Sequence, residues 1–207
     1  MTNNHDEIYG NLGEEDISCK FPMIQSEGRF YTEAIGTALA GGVYGGLLVI
    51  LSGDLGAGKT AMARAIGRAL GAGGMRSPTF AIESVHRLPG RDFKLVHADL
   101  YRLESVSAGS ETAMQLEEYL SGPGGGALLL VEWGERWEGL RTSDRWDVYI
   151  DQPARGGAEP PDRRGVNLTA YGMEAIASMS RAYSDILDSL SILSEEAAND
   201  AASGDIS

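Results

Sequence analysis

Leu47-Leu48-Val49-Ile50-Leu51-Ser52 runs without a break into Gly53-Asp54-Leu55-Gly56-Ala57-Gly58-Lys59-Thr60, and then into Ala61-Met62-Ala63-Arg64-Ala65-Ile66. An apolar run of strand length, a glycine-rich turn and a helix-forming run, in that order, is the setting in which G-x-x-x-x-G-K-[ST] works as a phosphate-binding loop. The glycines let the backbone curl tightly and aim successive N–H groups at phosphate oxygens, at a helix N-terminus that favours negative charge. Asp54, Leu55, Gly56, Ala57, Gly58, Lys59, Thr60 and Ala61 are therefore expected around a nucleoside triphosphate. Lys59 is expected to reach the β- and γ-phosphates, and the Thr60 hydroxyl to lie on Mg²⁺.

Outward from this loop the chain alternates strand and helix signals. Ala34, Ile35, Ala38 and Leu39 are spaced for a short amphipathic helix before the first buried strand. The helix after the loop is expected to stop at Gly71. Phe80–His86 and Lys94–Ala98 read as a hairpin around Leu88-Pro89-Gly90-Arg91, a sequence suited to a type II turn. A helix is expected over Glu111–Tyr119, a fully buried strand over Ala127–Val131, and further strands over Trp146–Ile150 and Val166–Ala170. Helical spacing resumes from Met173 to about Leu193. The pattern predicts an α/β fold of the P-loop NTPase kind, in three layers, with a mixed sheet and helices on both faces.

The net charge of −13 over 207 residues is concentrated at the ends. Residues 1–18 carry five acids and no Lys or Arg, and residues 172–207 carry seven acids against Arg181 alone, which leaves the core near neutral. This divides the chain into an acidic segment over 1–23 that is expected to be disordered, a P-loop domain over 24–171, and a C-terminal helix with an acidic tail over 172–207; that helix could pack back on the domain or bind a partner, with a solubilising tail the favoured reading. A core without a basic block argues against free-standing binding to nucleic acid. The apolar runs are too short to span a membrane, no export signal is evident, and the single cysteine, Cys19, has no internal partner. A cytoplasmic protein is expected.

Phosphate chemistry also needs acids to handle metal and water. Asp99 closes Leu95-Val96-His97-Ala98-Asp99, and Glu132 closes Leu128-Leu129-Leu130-Val131-Glu132. Ligands of open α/β sheets collect at the carboxyl ends of strands, so both acids face the phosphate site if their strands parallel the first. Each could instead cap a turn. Ser77-Pro78-Thr79-Phe80 has the position of a switch segment, with Thr79 the candidate sensor, and equally that of a plain turn before a strand.

Taken together, Gly53–Thr60, Ser77-Pro78-Thr79-Phe80, His97-Ala98-Asp99-Leu100-Tyr101-Arg102-Leu103 and Val131-Glu132-Trp133 resemble, in order and spacing, the motifs of the TsaE (YjeE) family. The resemblance covers about residues 30–171. It implies a P-loop ATPase of low intrinsic turnover, using ATP and Mg²⁺, required for threonylcarbamoyladenosine modification of the tRNA adenosine next to the anticodon. It further implies that TsaD and TsaB perform the transfer, and that this chain acts on their assembly and meets tRNA only indirectly. The sequence leaves the oligomeric state open, with a monomer expected for the free protein. Carried over by position, Lys59 and Thr60 hold phosphates and Mg²⁺, Asp99 and Glu132 are the metal- and water-handling acids, and Thr79 lies in the switch; Trp133 adjoins the site, open between packing near the nucleotide and filling the sheet. Tyr101 and Arg102 are open between bracing the site and contacting partners. Ala61 stands where the family usually has a second hydroxyl residue and Ala98 where Phe is common; Gly134 replaces a proline, which predicts a looser loop after Trp133. The alternative is a small-molecule kinase with Arg136, Arg141 and Arg145 as its lid.

Overall fold

Leu48–Ser52 and Leu128–Glu132 offer no polar side to water, so each strand has to be covered on both faces, and the architecture follows from that demand. The computed structural model describes residues 17–75, 82–122, 126–137, 144–152 and 163–203. In chain order these form β1 (Ser18–Lys20), β2 (Ile24–Glu27), α1 (Arg29–Leu39), β3 (Leu48–Ser52), α2 (Lys59–Ala69), β4 (Glu83–Arg87), β5 (Lys94–Asp99), α3 (Glu111–Leu120), β6 (Leu128–Glu132), β7 (Arg145–Asp151), β8 (Arg163–Tyr171) and α4 (Met173–Ser203).

One sheet runs β1-β8-β7-β3-β6-β5-β4, with β2 also paired to β8. At its centre β3 is parallel to β6 and β7, and β6 is parallel to β5. Antiparallel strands flank this block, β4 on β5 and β8 on β7, so the sheet is mixed as expected. The β4–β5 hairpin turns at Leu88–Arg91, where the Arg91 N–H donates to the Leu88 carbonyl and Gly90 takes a φ of 71°. That is the type II geometry its sequence announced.

Alternation along the strands separates two cores. Val49, Leu51, Leu130, Trp146 and Val148 point to one face, where Ile35 and Leu39 of α1, Met62 and Ile66 of α2, and Met179 and Ile186 of α4 cover them. Leu48, Val96, Ala98, Leu129 and Val131 point to the other, under Ala113 and Leu116 of α3. Helices on both faces complete the three layers.

Two boundaries need correction. Ser18–Lys20 already pairs with Thr169–Tyr171, so the folded domain begins before residue 24. A three-residue strand is too short to show a period of two. Residues 1–16 of the predicted acidic segment lie outside the described residues. At the other end, α4 is no appendage. Ala175, Met179, Ala182 and Ile186 form a fully buried stripe, and the Trp146 indole N–H donates to the Ala175 carbonyl at 2.9 Å. The helix also continues to Ser203, past the expected end near Leu193. No helix among the described residues is long and apolar enough to cross a membrane.

Candidate nucleotide site

The loop leaves β3 at Gly53, whose φ of 134° lies outside the range of L side chains. A Cβ built there would stand 2.2 Å from the Ile150 carbonyl oxygen on β7. Gly53→Ala is therefore expected to cost more than about 2 kcal/mol and to displace the loop. Thermal melting checks this, and an unchanged melting temperature would mean that the loop does not pass so close to β7. The chain then curls through Gly56 and Gly58 into α2, which begins with no side-chain cap. The N–H groups of its first turn are thus free for an anion at the loop mouth.

Lys59 is buried, and its Nζ donates to the carbonyls of Gly53 at 2.6 Å and Asp54 at 2.9 Å. The same ammonium lies 3.6 Å from the centre of the Trp133 ring. Burial pulls the Lys59 pKa below the usual lysine range, while Glu132, Glu135, Asp99 and Asp54 pull it back up. A cation in this position is held by neutral carbonyls and a ring face, ready for stronger anionic partners.

Beside it the Thr60 hydroxyl donates to Glu132 Oε2 at 2.6 Å. The other oxygen, Oε1, faces His97 Nε2 at 2.9 Å. Asp99 and Glu132 are directly paired across the β5–β6 register, so the two acids do stand side by side at the carboxyl ends of parallel strands. Asp99 Oδ1 also accepts from the Tyr101 N–H at 3.0 Å, closing the turn that follows β5. Asp99 thus closes a turn and stands next to Glu132.

Trp133 has a φ of 60°, the only positive value among the described non-glycine residues. The twist swings its ring away from the strand to pack on Tyr101 at 5.1 Å and to lie beneath the Arg136 guanidinium. Arg136 in turn donates to the carbonyls of Tyr101 and Leu103. Tyr101 therefore braces the site through Trp133, whereas Arg102 is exposed. Of the loop after Trp133, residues 134–137 are described and 138–143 lie outside the described residues. Gly134 is buried and opens a short 3₁₀ turn, where a Cβ would come within 2.5 Å of Ile50 Cγ2.

Two of the three arginines cast as a kinase lid are engaged elsewhere. Arg145 pairs with Asp147 at 2.9 Å and stacks on Tyr171, Arg136 holds the Tyr101 turn, and Arg141 lies outside the described residues. Thr79 and its neighbours Ser77, Pro78 and Phe80 likewise lie outside them.

Two clefts flank the loop. One, of about 500 Å³, lies between α1 and α2, with Gly28, Thr32, Gly58 and Ala61 on its walls and Arg64 and Arg164 among its basic groups. The other, of about 470 Å³, opens between Gly53, Trp133, Asp147 and Tyr149. Asp147 carries a raised pKa there because burial outweighs its pairing with Arg145. Sequence reading had not marked Thr32, Gln152, whose amide reaches the Leu55 carbonyl at 3.4 Å, or His97 as part of the site. His97 was legible, because it lies two residues before Asp99 on a strand and so shares its face.

A family model described as threonylcarbamoyl adenosine biosynthesis protein TsaE matches residues 27–158. The chain is 39% identical to the tRNA threonylcarbamoyladenosine biosynthesis protein TsaE of Streptomyces coelicolor, over 67% of this chain and 89% of that one. It is 33% identical to the protein of the same name from Bacillus subtilis, over 68% and 80% of the two chains. In fold it is similar to the crystal structure of Bacillus subtilis YdiB, with a TM-score of 0.61 at 24% identity over 81% of this chain and 96% of that one. With a phosphate-type loop, a Thr–Glu pair and a family match that spans both, the chain belongs to the TsaE family of tRNA threonylcarbamoyladenosine biosynthesis proteins.

Proposed function

We propose that this protein binds ATP with Mg²⁺, hydrolyses it slowly, and through that cycle acts on the TsaD–TsaB transferase assembly that modifies the tRNA adenosine next to the anticodon. The observation that carries the reading is the 2.6 Å bond from the Thr60 hydroxyl to Glu132. By sending its proton to Glu132, Thr60 keeps its lone pairs directed away from the carboxylate, as a hydroxyl that serves a hard cation must. The donor set of Thr60, Glu132 and Asp99 is all oxygen, which suits Mg²⁺.

In this reading the backbone of Asp54–Thr60 and the first turn of α2 wrap the phosphates, with Ala61 beside the α-phosphate. Lys59 exchanges two neutral carbonyls for β- and γ-phosphate oxygens, while Trp133 keeps its ammonium in place. Thr60 and Glu132 hold the cation side of the site, Glu132 through the hydroxyl or a bound water. Mg²⁺ neutralises the charge that builds on the phosphates when it is bound. Asp99, register-paired with Glu132, is the acid that orients the attacking water. The cleft between α1 and α2 has the size and position to take the base and ribose. Thr79 would report nucleotide state to the partners.

Mg²⁺-dependent ATP hydrolysis, measured alone and then with the cognate TsaB and TsaD, tests the proposal. Slow turnover that rises with the partners is expected. Glu132→Gln and Asp99→Asn should lower it by about 10²-fold or more while nucleotide affinity changes far less. Turnover that survives both substitutions would remove the two acids from the mechanism. No response to the partners would remove the assembly from the function.

A further inference from the structure

Glu132 is 1% exposed and His97 is not exposed at all. A carboxylate so far from water must receive hydrogen bonds at both oxygens. Thr60 serves Oε2, and His97 Nε2, at 2.9 Å, is the donor at Oε1. The other ring nitrogen, Nδ1, is buried and has no hydrogen-bond partner among the described residues. A buried lone pair costs less than a buried N–H left without an acceptor, so the network selects the imidazole with its proton on Nε2. The donor is therefore fixed in place and direction by a strand buried on both faces, two residues before Asp99.

Resting on the ATPase reading, we propose that His97 is the positioning residue of the cation side of the site. Its Nε2–H pins Glu132 Oε1, which fixes the carboxyl rotation and keeps Oε2 on the Thr60 hydroxyl. Without that donor the carboxyl group turns to find another, the Thr60 proton loses its acceptor, and the hydroxyl's lone pairs lose their aim. His97 touches neither the nucleotide nor the cation; it acts through Glu132. Outer partners of this kind hold a ligand's orientation and are worth about 10- to 100-fold in metal affinity.

The test uses the full chain and a fluorescent, non-hydrolysable ATP analogue, titrated in EDTA and at rising Mg²⁺. In His97→Leu the Mg²⁺ needed for half of the affinity gain should rise by about 10- to 100-fold, with affinity in EDTA unchanged. His97→Gln places an amide N–H near the position of Nε2 and should restore most of the response. A His97→Leu protein with the wild-type Mg²⁺ requirement overturns the proposal. So does a His97→Gln protein that fails equally while melting like the wild type, because packing rather than donation would then be at stake. Nitrogen NMR of the wild type gives a second reading, independent of whether the leucine variant folds. A protected Nε2–H is expected, and an Nδ1–H tautomer overturns the proposal. A wild type with no Mg²⁺-dependent gain overturns the ATPase reading itself, and the tautomer then still shows whether His97 donates to Glu132.

Discussion

Lys59→Ala is expected to weaken ATP binding by at least about 10²-fold, or roughly 3 kcal/mol. The size of the loss comes from what the ammonium exchanges. In the free protein its bonds go to the neutral carbonyls of Gly53 and Asp54 and to the face of Trp133. On phosphates the same donors meet full negative charge, and each charge-assisted bond is worth about 1.5–3 kcal/mol. The ammonium is already buried, which pulls its pKa down. Little therefore offsets the gain. Calorimetry with ATP checks this, with Lys59→Met as the companion that keeps the chain's length against Trp133 while removing the charge. Both variants should lose affinity together. Affinity retained in either would mean that the loop holds phosphate by backbone alone.

Much of this site was legible because its parts are local. The loop is one contiguous string with a strand before it and a helix after it. Asp99 and Glu132 each end an apolar run, and the parallel register then has to bring them together. What escaped was non-local. That Thr60 and Glu132 share a proton depends on two segments 72 residues apart. The backward twist at Trp133, and the lack of space at Gly134 beside Ile50, arise from packing that no single segment encodes. At Gly134 the missing side chain lets the turn lie against β3.

The ends of the domain misled for a different reason, since charge and composition there pointed to solvent. Ser18–Lys20 has no apolar pattern, yet β8 needs a partner along its outer edge and these residues supply it. In α4 the buried stripe is half alanine, which adds little to any hydrophobic signal but permits close approach to the sheet. The surrounding acids then dominate the reading.

Truncation after Gly172 should consequently unfold the protein or leave it only loosely packed, whereas truncation after Ser194 should leave the melting temperature nearly unchanged. The first removes Met179 and Ile186, fully buried, along with Ala175 and Ala182. Burying a Met or Ile side chain contributes about 1.5–3 kcal/mol. Losing both exposes further apolar area on Trp146 and Leu39, and it strips the Trp146 indole of its acceptor at Ala175. A total above about 5 kcal/mol is comparable with the whole stability of a domain of this size. The second truncation removes residues beyond the buried stripe, of which Glu195, Glu196 and Ala197 are exposed. Circular dichroism melts of the two proteins separate the cases. The site should follow the fold, because α1 packs against both α2 and α4, and Thr32 within it and Gly28 at its N-cap line the cleft beside the loop. If the shorter protein melts like the full chain and binds ATP equally well, α4 is the appendage its acidity suggested. If it loses both, the acidic C-terminal helix is a structural layer of the ATP-binding domain, and α1 is the element through which it holds the cleft in shape.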